Sequence, residues 1–273
     1  MGEWLLHLPT VWMTVVVFGF TYLVTAAIYA VVNALAVDER ARSFKAVSAG
    51  MLPPLGIIFG LFVAFTAAQV WNDNDRANAA VNREASALRA VVVLAGVFPG
   101  EPEARLRNLV RRYIEDAATQ EWPMMGRHAA TLTPVPHLLV EALHLTLALT
   151  PDSEGQRIAQ REITLALENV SDARRQRIIV SQTQVNFVKW SCMFAQAVCA
   201  LLAIAIVHCD NRLASIIALG MFATGVAASV LLIAAHDGPF TGEISVGPDP
   251  LLQVMPEAQA LGKPSTGIPH RQP

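Results

Sequence analysis

Residues 53–88 read PPLGIIFGLFVAFTAAQVWNDNDRANAAVNREASAL. The first half is apolar helix and the second half is rich in amides and charges, and past Gly60 neither glycine nor proline separates them. A bilayer core of ~30 Å is crossed by ~20 apolar residues in helix, so a helix that is dry for about five turns and then wet has left a membrane. Trp71 stands at the junction, where an amphipathic ring suits the interface. The spacing predicts one helix that continues past the bilayer.

On a helical wheel two stripes separate within residues 53–71. Gly56, Gly60, Ala64 and Ala68 recur every four residues, and Pro53, Ile57, Leu61 and Phe65 run beside them. Lipid gives helices no hydrophobic reason to associate, so small residues that let backbones approach are what holds them. The small stripe therefore predicts close packing on another helix, either within the chain against the first or fourth span or against sister subunits around an axis. In the second case Ile57, Leu61 and Phe65 form apolar rings, and narrow apolar rings gate ions by shedding water.

The rest of the chain fits a membrane protein. Of 273 residues 53% are hydrophobic and 15% charged, against about a quarter charged in a soluble domain. Four blocks carry no charge: 10–37, 46–72, 190–209 and 213–235. Each is long enough to span. The predicted helices are 10–37, 50–71, 190–208 and 213–235. The first is not expected to be a cleaved leader, because Glu3 but no Lys or Arg precedes it and its apolar run is too long. Cys192, Cys199 and Cys209 sit in or beside the third block without a CxxC or disulfide framework, and read as small packing residues. A net charge of −2, with no basic tract, points to no nucleic-acid partner.

The expected fold is an all-α integral membrane protein: two transmembrane hairpins with a helical cytosolic domain inserted between them. The divisions are 1–72 for the first hairpin, 73–189 for the helical domain, 190–236 for the second hairpin, and 237–273 for an extended clamp or short hairpin followed by a disordered tail. Within the domain, Val81, Ala85, Leu88, Val92 and Ala95 repeat at helical spacing, and Pro99-Gly100 breaks the chain. Glu101 and Glu103 suit the positive start of a helix with the stripe Leu106, Val110, Tyr113, Ile114 and Ala117, ended by Trp122-Pro123. Residues 124–136 read as loop and 137–149 as helix. A last helix starts at Glu154 and is expected to merge with the third span.

Lys and Arg near the membrane ends set sidedness. The domain side carries Arg76, Arg83, Arg89, Arg174, Arg175, Arg177 and Lys189, and the other side Arg40, Arg42, Lys45 and Arg212. The expected location is the cell (inner) membrane, multi-pass, with the domain and both termini cytoplasmic.

The stretch LPPLGIIFGLFVAFTAAQVWNDND (52–75) resembles the second membrane helix of the bestrophin anion channels. The fuller pattern is similar to the bacterial bestrophin-like membrane proteins, a group of uncharacterised function. It comprises Trp71-Asn72, Glu84 in NREASAL, Tyr113 to Glu121-Trp122 in RRYIEDAATQEWPMM, and HDGPFTGEISV after the last span. The resemblance implies a homopentamer with a central chloride pore, a neck at Pro53, Ile57 and Leu61, and a helical vestibule. Three departures stand out. Ile57 and Leu61 replace the family's paired aromatics, Val70-Trp71 replaces its doubled Trp, and no acidic cluster matches the calcium clasp of animal members.

Other constellations carry less. His137, Glu141 and His144 share a helix face, but metal binding would need a further ligand such as His128, and an exposed polar face is the expected reading. Asp73, Asp75 and Glu84 lie beside Arg76 and Arg83 and read as surface ion pairs; facing a vestibule, those arginines would concentrate anions. His208 and His236 cap spans, and Asn33 and Gln196 are candidates for interhelical hydrogen bonds. No span carries an acid or base, which argues against proton-coupled transport. No catalytic triad, P-loop or dinucleotide fingerprint appears, so neither enzyme nor cofactor is expected.

The function expected is therefore a channel-like homo-oligomer passing small anions such as chloride along the second helix. Its partners are lipid and copies of itself. The vestibule candidates are Trp71, Asn72, Arg76, Arg83 and Glu84. The alternative is a non-conducting membrane-anchored scaffold or sensor that binds a partner through its cytosolic domain.

Overall fold

The computed structural model describes residues 9–36, 49–133 and 136–257. The loop 38–45, with Arg40, Arg42 and Lys45, and the expected tail from 258 lie outside the described residues. The described elements are helical, with no strand among them. In chain order they are α1 (Thr10–Leu35), a 3-10 turn (Ala49–Met51), α2 (Leu52–Ala95), α3 (Glu101–Asp116), a π-helical turn (Ala117–Glu121), α4 (Trp122–Gly126), α5 (His137–Leu147), α6 (Glu154–Ser181), α7 (Phe187–Val207), α8 (Arg212–His236) and α9 (Asp249–Leu252). Helices α1, α2, α7 and α8 are each long and apolar enough to cross a membrane.

The chain divides into two compact units. Of the described residues, those up to Ala77, with Met125–His128 and Ile179–Val246, form the first; those within 78–124, 129–178 and 247–257 form the second. The opening stretch is a single helix, as its lack of breakers predicts: α2 is 44 residues long and is shared by both units. Pro53 and Pro54 fall in its first turn, where a missing N–H costs nothing.

In the first unit α1, α7 and α8 pack on one another. Met13, Val17, Trp190, Met193, Ala197, Val226, Ala227 and Val230 form one buried cluster, and Phe59 and Val70 bring α2 onto it. Alanines at the α8 contact, Ala223 and Ala227, are fully buried and let the backbones approach. Thr21, Thr25 and Thr66 return their hydroxyls to the carbonyl four residues back, which satisfies them where water is absent. Interhelical bonds run from Tyr22 to Thr224 (2.8 Å) and from Lys189 to Gln69. Of the two residues expected in that role, Asn33 is exposed, and the side-chain oxygen of Gln196 is buried without a partner among the described residues.

The second unit is a helical core. Val81, Leu88, Val91 and Ala95 of α2, Leu106, Val110 and Ile114 of α3, and Ile163 and Val170 of α6 are all at most 2% exposed. Gly100 turns the chain at φ 97°, and Glu101 and Glu103 occupy the first turn of α3 as expected.

Two expected boundaries are corrected. Trp122-Pro123 does not end the α3 region: the π turn carries the chain into α4, whose opening turn accommodates Pro123. Nor does α6 merge with the third span; it stops at Ser181, and α7 starts afresh at Phe187. Competing partners explain the break. The Ser181 carbonyl lies 2.8 Å from His128 Nδ1, the Val185 N–H donates to Asp237 Oδ1 at 2.8 Å, and Asn186 caps α7 by accepting from Val188 N–H at 3.0 Å. After α8 the chain forms a closed loop, tied by the Val246 N–H donating to the Pro239 carbonyl (2.8 Å).

Candidate functional site

The first candidate is the uncovered face of α2. The side of this helix bearing Phe59, Phe62, Val63, Ala67 and Val70 packs into the first unit. The opposite side meets nothing of its own unit: Ile57 is 68% exposed, Leu61 55% and Phe65 69%, and Pro53, Gly60, Ala64 and Ala68 are exposed with them. A side-chain carbon added at Gly56 or Gly60 would find no atom within 4 Å. Gly60, Ala64 and Ala68 of the small stripe therefore face away from the first and fourth spans, and Gly56 is half-buried. Trp71, Asn72, Arg76 and Arg83 are likewise exposed.

Glu84 is different, and here the surface reading is corrected. It is fully buried in the second unit and pairs with Arg177 of α6, 93 residues away, while Arg83 bonds the Ala79 carbonyl and Arg76 pairs with Asp73 at 3.8 Å. Arg177 Nε and Nη2 donate to the two Glu84 oxygens at 2.7 and 3.0 Å. Tyr113 donates its hydroxyl to Glu84 at 2.6 Å. Glu121 joins the set, accepting from Arg177 at 2.9 Å and from Arg174 Nε at 2.8 Å. The guanidinium of Arg177 lies 4.5 Å from the Trp122 ring centroid. Burial, then the charge of Glu84, pushes the Tyr113 phenol well above its ordinary value, so it acts as a donor. Burial works against the Arg177 cation, but Glu84, Tyr113 and Glu121 outweigh it and raise its pKa. Two of the seven arginines and lysines counted for sidedness, Arg174 and Arg177, are thus internal.

A second cluster fastens the segment after α8. Asp237, 6% exposed, accepts from Val185 N–H. The Trp190 indole N–H is buried without a partner at full hydrogen-bond geometry, yet it lies near enough to favour the Asp237 carboxylate. Gly238 turns at φ 107°, Thr241 donates to the Gly126 carbonyl (3.3 Å), and Glu243 accepts from the Thr10 N–H at 3.1 Å and hydroxyl at 2.6 Å. Burial dominates at Asp237 and raises its pKa. The folded state thus holds this proton more tightly than the unfolded chain, and the group's stabilising effect is complete below the ordinary aspartate value. It is lost as pH rises through the raised one. In Asp237→Asn, which can still accept from Val185, the melting midpoint should lose that decline across mildly acidic pH. An unchanged slope in a fluorescence-detected melt would refute this.

The candidate metal face does not close: Glu141 pairs with Arg105 at 3.6 Å, and no cluster of three metal-ligating side chains occurs among the described residues. His208 and His236 bond carbonyls of their own helices, Ile204 and Leu232.

Four apolar helices in this order, with a helical unit between the second and third, can be compared with known proteins. The profile of the Bestrophin-like domain matches residues 19–251. The chain belongs to the bestrophin-like family. Its fold is similar to that of a mutant bacterial bestrophin homologue from Klebsiella pneumoniae, with a TM-score of 0.67 at 12% identity over 87% of this chain and 96% of that one. A second solved structure, described as a membrane protein, gives a TM-score of 0.65 at 14% identity over 86% and 95%. No curated protein matches. This bestrophin-like chain is therefore an all-helical membrane protein.

Proposed function

We propose that the chain assembles with copies of itself into a channel, with a pore along the exposed face of α2, and that it passes small anions such as chloride. Family membership supports the channel class. The observation that carries the pore is the pairing, on one uncovered face, of a small-residue stripe with an aliphatic and aromatic stripe. In this reading Gly56, Gly60, Ala64 and Ala68 nest against a neighbouring copy. Pro53, Ile57, Leu61 and Phe65 form the constriction. Trp71, Asn72, Arg76 and Arg83 line the vestibule mouth, and the arginines there draw anions in. Five copies is the number the bestrophin resemblance points to. With Arg174 and Arg177 buried, the Lys/Arg bias that favours a cytoplasmic second unit in the inner membrane falls to five against four.

Gly60→Leu tests the assembly. A side-chain carbon placed there meets no atom within 4 Å outside its own stretch of helix, and leucine is the better helix former, so the fold of a single chain should be kept. A face packed against copies cannot take it. The mass of the particle extracted in mild detergent should be several chains for the native protein and fall towards one for Gly60→Leu. A native particle of one chain would overturn the proposal.

A further inference from the structure

We propose that the cavity beside the π-helical turn of the second unit binds a small zwitterion of the α-amino-acid type. This goes beyond the channel reading and is independent of it. The cavity has a volume of about 270 Å³, room for about nine water-sized groups, which matches an aliphatic amino acid. One wall is the π turn itself, a feature that recurs at functional sites because it widens the helix and redirects its side chains.

The charges on the wall choose the ligand. Arg174 is 8% exposed and lines the cavity. Its Nε and Nη2 are engaged by Glu121, while Nη1 has no partner among the described residues. Glu84, Glu121, Arg174 and Arg177 balance one another within their network. Asp116, which precedes the π turn and lines the same cavity, makes no ion pair among the described residues. The cavity thus presents an unspent guanidinium edge and a carboxylate without an ion pair among the described residues, with the His137 imidazole also on its wall. A carboxylic acid alone would meet the Asp116 carboxylate, and an amine alone would leave the Nη1 edge of Arg174 without an acceptor; a molecule carrying both groups answers both. Met124, Leu138 and Ile178 supply an apolar surface for an aliphatic side chain.

Calorimetric titration of the full-length protein in detergent tests this with three probes: L-leucine, isoamylamine and 4-methylpentanoate. L-leucine should bind, and each single-charge probe should bind at least tenfold more weakly. Asp116→Asn should weaken L-leucine at least tenfold while leaving the ligand-free melting midpoint in place, since Asp116 holds no ion pair. Met124→Trp, which fills the cavity, should abolish binding. Absence of L-leucine binding, equal binding of the amine or the acid, or an unchanged affinity in Asp116→Asn would each overturn the proposal.

Discussion

Leu61→Ala should raise chloride flux into liposomes roughly tenfold over the native protein, corresponding to about 1.4 kcal/mol off the barrier. Leu61 is 55% exposed and sits on the face that the chain's own helices leave bare. Truncating it opens no cavity in the fold, and alanine is the best helix former. The change therefore falls on whatever faces Leu61 in the assembled particle. If that is a ring of its own copies, each substitution widens the aperture and lets water remain in the neck. Ile57 and Phe65 lie one turn away on either side, about 6 Å along the axis, so the neck is thinned at its middle. Met221→Ala on α8 is the control: that side chain is 73% exposed on a helix with no part in the proposed pore, and its loss should leave flux unchanged. Equal flux in all three proteins would remove α2 from any role in conduction.

How much of this was legible in the chain depends on how far apart the interacting residues lie. The continuity of α2, the uncharged spans and the two stripes are local patterns, and the helix period exposes them directly. The break between α6 and α7 is not local. Residues 182–186 carry neither glycine nor proline, and the chain leaves the helix because Asp237, 52 residues on, accepts the Val185 N–H, and because His128, 53 residues back, lies at the Ser181 carbonyl. The same distance hid the buried network. Glu84 has Arg83 beside it in sequence, and neighbouring opposite charges read as surface pairs. Helix geometry puts adjacent residues about 100° apart, however, so Glu84 faces the core while Arg83 faces out. One signal was available: Glu84 falls between Val81 and Leu88 on the apolar stripe of its helix, where a carboxylate needs a partner. The partner was invisible, because a stripe position says that a donor is required without saying which residue of which helix supplies it.

Arg177→Met should lower stability by about 3–5 kcal/mol, the usual consequence of removing one member of a buried ion pair. Arg177 and Glu84 are both fully buried, and the loss strands a buried carboxylate with the Tyr113 hydroxyl as its remaining donor. Glu121 keeps Arg174 and is partly exposed, so most of the damage comes from Glu84. A double substitution separates the lost attraction from the stranded charge. In Glu84→Gln with Arg177→Met the carboxylate is gone, Tyr113 can still donate to the Gln carbonyl, and methionine fills much of the arginine's volume. The double variant should therefore recover more than half of the single variant's loss in the melting midpoint. A single variant as stable as the native protein would mean that water reaches Glu84, which its complete burial forbids. A double variant no better than the single one would mean that Arg177 acts through its packing on Trp122, and that the ion pair is incidental to the fold.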